Sequence, residues 1–203
     1  YNWIADYSRI VWGLDTYSNI NEAAEEWEHN YRLDFWAQRQ EKVEVWLEKS
    51  ALASSLTPIT EKYRVDLFPT AGFASEGFVE KAVRNAYELG KTKLYIYSRY
   101  DFDQAGKTAA KALQRALYRL TDYYSLDLEY RALGLDAAQI TDWNIPTRPP
   151  KRKSSNDKLW PYSFAAELDA IPVATLRNHV EIVLEKHLPL NERRSLLDKE
   201  ATQ

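Results

Sequence analysis

Strand-like and helix-like segments alternate along the middle of this chain, and this alternation restricts the possible folds more than any other feature. Four short apolar runs have the length and composition of buried strands: 43–47, 65–68, 93–98 and 126–130. The segments between them carry apolar residues at helical spacing, as at Leu113, Leu117 and Leu120. Strands that alternate with helices are typical of a parallel sheet with helices on both faces. We therefore predict an α/β fold with a central, mostly parallel, four-stranded sheet.

The segments on either side of this core are predicted to be helical extensions. Apolar residues recur at helical spacing in both: Ile20, Ala24, Trp27 and Tyr31, and then Val173, Leu176, Val180 and Val183. We divide the chain into an N-terminal extension (1–40), the α/β domain (41–187) and a charged tail (188–203). The first residue is Tyr1 rather than Met, so we expect the chain to be trimmed or excised from a longer protein.

The overall composition narrows the class of protein. The chain contains no cysteine, which excludes disulfides and cysteine nucleophiles and fits a cytoplasmic protein. No apolar run approaches the roughly 18 residues that a membrane-spanning helix needs, so we expect no membrane partner. The net charge of −3 argues against a uniformly basic surface for nucleic acid, although a local basic patch is compatible with it.

Acidic residues directly follow two of the predicted strands. Glu48 follows the first strand, and Asp101 and Asp103 follow the third. In sheets of this kind the carboxyl ends of the strands form the ligand-binding crevice, and residues two apart in extended backbone point the same way. Carboxylates gathered there repel one another unless a cation joins them, and hard oxygen ligands favour Mg²⁺, with Mn²⁺ as the alternative. The sequence therefore predicts a metal site, whereas an ordinary turn remains the alternative interpretation of the two aspartates.

Four neighbouring residues are candidates for supporting this site. Gly106 allows a tight turn into the next helix, whose N-terminus could face a phosphate. Lys49 is a candidate catalytic cation that faces phosphate, with an ordinary surface lysine as the alternative. Glu167 and Asp169 either support the site from a second layer or are acids at the start of the last helix of the domain.

The densest positive run in the chain lies far from these acids in sequence. It contains Arg148, Lys151, Arg152 and Lys153. We expect these side chains to lie outside the catalytic pocket and to contact the nucleic-acid backbone, which positions a substrate without reading its sequence. DNA is the expected partner, and RNA is the alternative.

The order of these features resembles the Toprim domain, which topoisomerases, bacterial primases and several nucleases share. The features are a strand followed by Glu48 and Lys49, a strand and loop containing Gly72, and a strand followed by Asp101 and Asp103. Residues 43–52 are most similar to the Toprim portion of topoisomerase VI A-subunit relatives. Residues 143–150 and 167–171 resemble the later part of Toprim proteins of bacterial and mobile-element origin. The resemblance covers about residues 40–187.

This resemblance implies a Rossmann-like Toprim fold and a role for each acid. Glu48 would serve both as a metal ligand and as the general acid or base, and Asp101 and Asp103 would hold magnesium. The implied activity is magnesium-dependent cleavage of a nucleic-acid phosphodiester. With water as nucleophile the protein is a nuclease. With a tyrosine from a winged-helix domain or subunit it breaks strands as topoisomerase VI relatives do, and residues 1–40 would be the end of such a domain.

Two other functions remain open from the sequence, together with the state of assembly. One is a non-catalytic DNA-binding or assembly module in which the Toprim site is degenerate. The other is nucleotidyl transfer of the primase type, which would need nucleoside triphosphates and a template. A homodimer is compatible with either function and with the nuclease.

Overall fold

The computed structural model describes residues 16–202, and the chain divides after Leu33 into two compact units. The first unit contains helix α1 (Ile20–Asn30), which confirms the helix predicted from the apolar spacing there. The side chain of Asn19 caps α1 by accepting hydrogen bonds from the backbone N–H groups of Asn21 and Glu22. The prediction that the chain begins with the end of a winged-helix domain falls partly on residues 1–15, which lie outside the described residues.

The second unit is built on one sheet of parallel strands. The strands are β1 (Glu41–Leu47), β2 (Asp66–Pro69), β3 (Lys93–Arg99) and β4 (Asp127–Ala132). Their order across the sheet is β2-β1-β3-β4, and all three neighbouring pairs are parallel. This confirms the predicted α/β class and four-stranded sheet.

Helices connect the strands and extend the unit towards its C-terminus. They are α2 (Ala53–Lys62), α3 (Glu76–Glu88), α4 (Gln104–Tyr123), α5 (Ala137–Asp142), α6 (Val173–Glu185) and α7 (Leu190–Ala201). The predicted charged tail is therefore helical along most of its length. Helix α7 packs through Arg193, whose guanidinium carbon lies 5.2 Å from the centre of the Tyr63 ring, and Glu200 forms an ion pair with Arg64.

The helices cover both faces of the sheet, as predicted. Leu94 and Ile96 of β3 belong to a buried cluster with side chains of α3 and α4. Because side chains alternate along a strand, Tyr95 and Tyr97 point to the opposite face. There both rings contact the ring of His187, which follows α6. Each large apolar side chain that is fully buried in these layers contributes roughly 1.5–3 kcal/mol to stability.

A buried ion pair interrupts the apolar layer beside β1. Glu44 is fully buried, and one of its carboxylate oxygens accepts a hydrogen bond from Lys42 Nζ at 2.8 Å. The other oxygen accepts from the indole N–H of Trp46 at 2.9 Å. Lys42 Nζ also lies 2.9 Å from a carboxylate oxygen of Asp66 on β2. Burial raises the pKa of Glu44, and the neighbouring Lys42 and Trp46 oppose this rise.

The strand order places the reversal of the winding direction between β1 and β3. The connection through α2 leads from β1 to one edge of the sheet, whereas β3 and β4 lie on the other side of β1. In open α/β sheets, ligands bind at the carboxyl ends of the strands where the winding direction reverses in this way. Glu48 follows β1 at this point and Asp101 follows β3, so the topology brings together the two strand ends that carry the predicted acids.

Candidate functional site

Glu48 and Asp101 are in direct contact at the carboxyl ends of β1 and β3. The backbone N–H of Asp101 donates a hydrogen bond to Glu48 Oε2 at 2.8 Å. The backbone N–H of Glu48 donates in turn to the carbonyl oxygen of Arg99 at 2.9 Å, which extends the β1–β3 pairing by one residue. Two acids that are 53 residues apart in sequence therefore meet at one place.

The surroundings of both carboxylates disfavour negative charge. Burial raises the pKa of Glu48; the N–H of Asp101 opposes this rise, and the charges of Asp101 and Asp103 add to it. Burial also raises the pKa of Asp101, against the opposing effects of the Leu168 N–H and of Lys49. The Leu168 N–H donates to Asp101 Oδ1 at 2.8 Å. A cation bound between these acids would relieve their repulsion.

Asp103 lies next to this pair and caps helix α4. Its Oδ1 accepts a hydrogen bond from the backbone N–H of Gly106 at 2.8 Å, so α4 begins at Gln104. A Cβ atom at position 106 would lie only 2.4 Å from the carbonyl oxygen of Asp101. Glycine is therefore required at position 106 because the backbone approaches so closely. The N-terminus of α4, considered above as a phosphate site, is capped by Asp103.

Lys49 lies among acids rather than on an open surface. Its Nζ is 2.6 Å from Glu167 Oε2, 3.0 Å from Asp169 Oδ2 and 3.5 Å from Asp101 Oδ2. Partial burial alone would lower the pKa of Lys49, but the hydrogen bonds to Glu167 and Asp169 outweigh this effect and raise it. The structure thus brings Glu167 and Asp169 to the site and joins them to it through Lys49.

Arg148 also contacts these acids. The sequence predicted instead that Arg148 lies outside the pocket with the rest of the basic run. Its Nη2 lies 2.8 Å from Asp103 Oδ2, and its Nε lies 2.8 Å from Glu167 Oε1. Antiparallel backbone pairing of Arg148 with Ala165, and of Phe102 with Ala166, fixes this arrangement. Sequence spacing gives no signal for such pairing between loops. Two prolines separate Arg148 from Lys151 in the sequence.

The other three residues of the basic run do not contact the acids. Lys151 and Lys153 are exposed. Arg152 donates from Nη1 to the carbonyl oxygen of Trp160 at 3.0 Å and from Nη2 to that of Tyr162 at 3.1 Å. Arg152 therefore braces a loop, while Lys151 and Lys153 keep the exposure that a phosphate contact would need.

The carboxylates have the donor chemistry of a site for a hard divalent cation. Two cationic side chains of the protein already pair with these carboxylates: Lys49 lies near Asp101, and Arg148 binds Asp103. Within residues 16–202, no group of three or more acidic or histidine side chains is arranged closely enough to hold a metal ion. A metal at this site would have to compete with Lys49 and Arg148.

A pocket of about 310 Å³ opens beside Asp101 and Asp103. Aromatic side chains line much of it: Tyr100, Phe102, Tyr130, Trp160 and Tyr162. Lys107 and Lys111 of α4 stand on another side of the same pocket. The sequence gives no signal for this pocket, because its walls come from three separate segments.

The fold and the cluster together define an α/β protein with a parallel, Rossmann-like sheet and acidic residues at the point where its winding reverses. Comparison with protein-family models, with curated proteins and with solved structures finds no match to this chain. Among the described helices, none combines the length and the apolar character needed to cross a membrane.

Proposed function

We propose that this chain is a Toprim-type domain that cleaves nucleic-acid phosphodiesters with the help of a divalent cation. The observation that carries the proposal is the contact between Glu48 and Asp101 at the reversal point of the sheet, with Asp103 next to them. A strand followed by Glu48, and two strands later a strand followed by Asp101 and Asp103, is the order found in the family that the sequence resembles. The likeness to topoisomerase VI A-subunit relatives is part of this proposal.

Glu48, Asp101 and Asp103 would hold the cation after it has displaced Lys49 and Arg148 and drawn the three carboxylates together, with Mg²⁺ as the expected ion and Mn²⁺ as a substitute. When bound, such an ion neutralises the charge that develops on the reacting phosphate and orients the attacking or leaving oxygen. The oxygen ligands available at this place suit a hard cation. Burial raises the pKa of Glu48 and the charges of Asp101 and Asp103 add to this rise; these like charges supply the attraction for the cation.

The side chains of the cluster would contribute proton transfer and positioning. The raised pKa of Glu48 brings its carboxylate closer to the range in which a group transfers protons efficiently near neutral pH. Glu48 would take a proton from the attacking water or return one to the leaving oxygen. Arg148 would orient Asp103 through its planar guanidinium, and Lys49 would hold Glu167 and Asp169 while it offers positive charge to the phosphate.

We also propose a substrate, a partner and a cellular compartment for this protein. DNA is the proposed substrate, with RNA as the alternative, and exposed Lys151 and Lys153 are the proposed contacts to its backbone. Topoisomerase-like strand breakage would need a tyrosine from a winged-helix domain or subunit. The absence of cysteine supports a cytoplasmic setting.

A second candidate function is a non-catalytic module that binds nucleic acid. The ion pairs of Lys49 and Arg148 with the acids favour it, because they compensate the carboxylates without a metal ion. A degenerate site of this type would bind DNA equally well with and without divalent cations.

A plasmid assay distinguishes the nuclease from the non-catalytic module. Supercoiled plasmid is incubated with the wild-type protein in Mg²⁺, in Mn²⁺ or in EDTA, and then with Glu48→Gln and Asp101→Asn. We expect nicking that requires a divalent cation and that falls at least about 100-fold in either variant. Asp198→Asn, which removes an exposed acid of α7, is the matched control and should retain activity. Intact plasmid under every condition, with folded protein that still binds it, would favour the non-catalytic module.

A further inference from the structure

The pocket beside the acids has a rigid aromatic wall. The Phe102 ring lies with its centre 4.8 Å from that of Trp160 and 4.9 Å from that of Tyr162. Trp160 is only 4% exposed, and its indole N–H donates to the carbonyl oxygen of Phe164 at 2.8 Å. The Arg152 guanidinium donates hydrogen bonds to the carbonyl oxygens of Trp160 and Tyr162. The rings are therefore fixed before any ligand arrives, whereas Tyr162 keeps 39% of its surface exposed.

Positive charge faces this aromatic wall. Lys107 and Lys111 lie one turn apart on α4, so their side chains share one side of the helix. Both residues are exposed, and neither ammonium group forms an ion pair with the acids of residues 16–202. Since Asp103 caps the N-terminus of α4, these two lysines are the groups of α4 that can attract a phosphate to the pocket.

The size of the pocket limits what can enter it. Its volume of about 310 Å³ is at the lower end of the roughly 300–1,000 Å³ that is usual for ligand pockets. A group the size of one nucleotide is compatible with this volume, and a duplex is not. A base inside a duplex is stacked on its neighbours, so its face can reach an aromatic wall only after it has left the stack.

We propose that this pocket receives one unpaired nucleotide of a nucleic-acid strand. Its base stacks on the aromatic wall at Tyr162, and its phosphate lies against Lys107 and Lys111. The amide of Gln114, which also lines the pocket, offers hydrogen bonds to the edge of the base. The inference rests on the proposed nucleic-acid substrate and adds its class: a single strand, or a duplex with an unpaired nucleotide next to the bond that is cut.

Binding can be measured without cleavage, which keeps this inference apart from the proposed activity. Fluorescence anisotropy in EDTA compares a labelled single-stranded 20-mer with a blunt duplex of the same sequence. We expect the wild-type protein to bind the single strand at least about tenfold more tightly. Tyr162→Ala should weaken single-strand binding by about tenfold, which corresponds to the loss of one stacked base. Lys107→Gln combined with Lys111→Gln should weaken it further and reduce its dependence on salt.

Two control variants match these changes. Tyr118→Ala removes an exposed tyrosine that lies on α4, away from the aromatic wall, and Lys81→Gln removes an exposed lysine of α3. Both should bind the single strand as the wild type does, and circular dichroism verifies that every variant is folded. Equal affinity for single strand and duplex, or unchanged binding by Tyr162→Ala and by the double lysine variant, would overturn the inference. So would binding of a free deoxynucleoside monophosphate with no binding of the strand.

The outcomes of the two experiments are distinguishable. Selective single-strand binding without any cleavage of plasmid or oligonucleotide supports the pocket assignment and overturns the proposed catalysis. Cation-dependent cleavage of a fully paired duplex that Tyr162→Ala leaves unchanged supports the proposed catalysis and overturns the pocket assignment.

Discussion

Arg148 donates a hydrogen bond from Nη2 to Asp103 Oδ2 at 2.8 Å, and this contact joins the loop after α5 to the start of α4. The same guanidinium reaches Glu167 through Nε, so one planar group fixes two carboxylates. Lysine carries the same charge but lacks this fork, and it cannot make both contacts in the same geometry. The position of Asp103 in the acidic cluster therefore depends on arginine at position 148.

Replacing this arginine by lysine tests that dependence. We expect Arg148→Lys to lower the free energy of unfolding by about 1–2 kcal/mol, because at least one hydrogen bond between charged groups is lost. Urea denaturation measures the change. Arg131→Lys is the control, since Arg131 also makes two contacts to one acid, Glu129, but on an exposed surface where such pairs contribute about 0–1 kcal/mol. An equal effect of the two substitutions would contradict the positioning role of Arg148.

The close approach at Gly106 leads to a second prediction. Gly106→Ala would bring a methyl group within 2.4 Å of the Asp101 carbonyl oxygen, and backbone must move to relieve this overlap. We expect the free energy of unfolding to fall by about 1–3 kcal/mol. Gly77→Ala in the first turn of α3 is the control, because nothing lies within 4 Å of the added methyl group. Thermal unfolding should show Gly77→Ala as stable as the wild type or slightly more stable.

Glu48 should make stability depend on pH in a specific direction. Burial raises its pKa in the folded state, so ionised Glu48 destabilises the folded protein at high pH. Glu48→Gln removes this cost, and we expect it to raise the melting temperature by a few degrees near pH 8. The gain should shrink as the pH falls through the raised pKa and vanish below about pH 4, where the acid is also protonated in the unfolded chain.

Thermal unfolding of both proteins between pH 4 and pH 8 measures this gain. Asp198→Asn controls for the loss of an exposed carboxylate. A Glu48→Gln variant that is less stable than the wild type at pH 8 would show that the ionised acid stabilises the folded state, contrary to the effect of burial.

The buried pair of Lys42 and Glu44 gives a prediction about the sheet itself. Lys42→Met leaves the fully buried carboxylate of Glu44 without its cation, and we expect a loss of about 3–5 kcal/mol in the free energy of unfolding. Adding Glu44→Gln to this variant should restore part of the loss, since no buried charge then remains. Lys62→Met, which breaks an exposed pair with Glu181, should cost no more than about 1 kcal/mol. Urea denaturation of the three variants decides whether burial controls the cost.

The sheet and its helices could be predicted because each has a local signal in the sequence. A capping box formed by Asp136 and Gln139 opens α5. Gly90 follows α3 and has a φ of 68°, which glycine adopts without strain. The meeting of Glu48 with Asp101 could also be anticipated, because parallel strands end at the same edge of a sheet.

The rest of the cluster depends on contacts that have no local signal. The approach of Arg148 to Asp103 requires the pairing of Phe102 with Ala166, which joins segments 64 residues apart and follows no periodic pattern. Helix α7 falls within residues 188–203, which the sequence predicted only as a charged tail. It packs instead through charged side chains, such as Arg193 against Tyr63.

We propose above that Glu48, Asp101 and Asp103 together bind one divalent cation. Electron paramagnetic resonance of a Mn²⁺ titration measures the bound ion directly in the wild type, in Glu48→Gln, in Asp101→Asn and in Asp103→Asn, with Asp198→Asn as the control. We expect one Mn²⁺ per chain in the wild type and the control, displaced by excess Mg²⁺, and at least about tenfold weaker binding in each of the other three variants. No bound Mn²⁺ in the wild type, or equal binding in all five proteins, would contradict it.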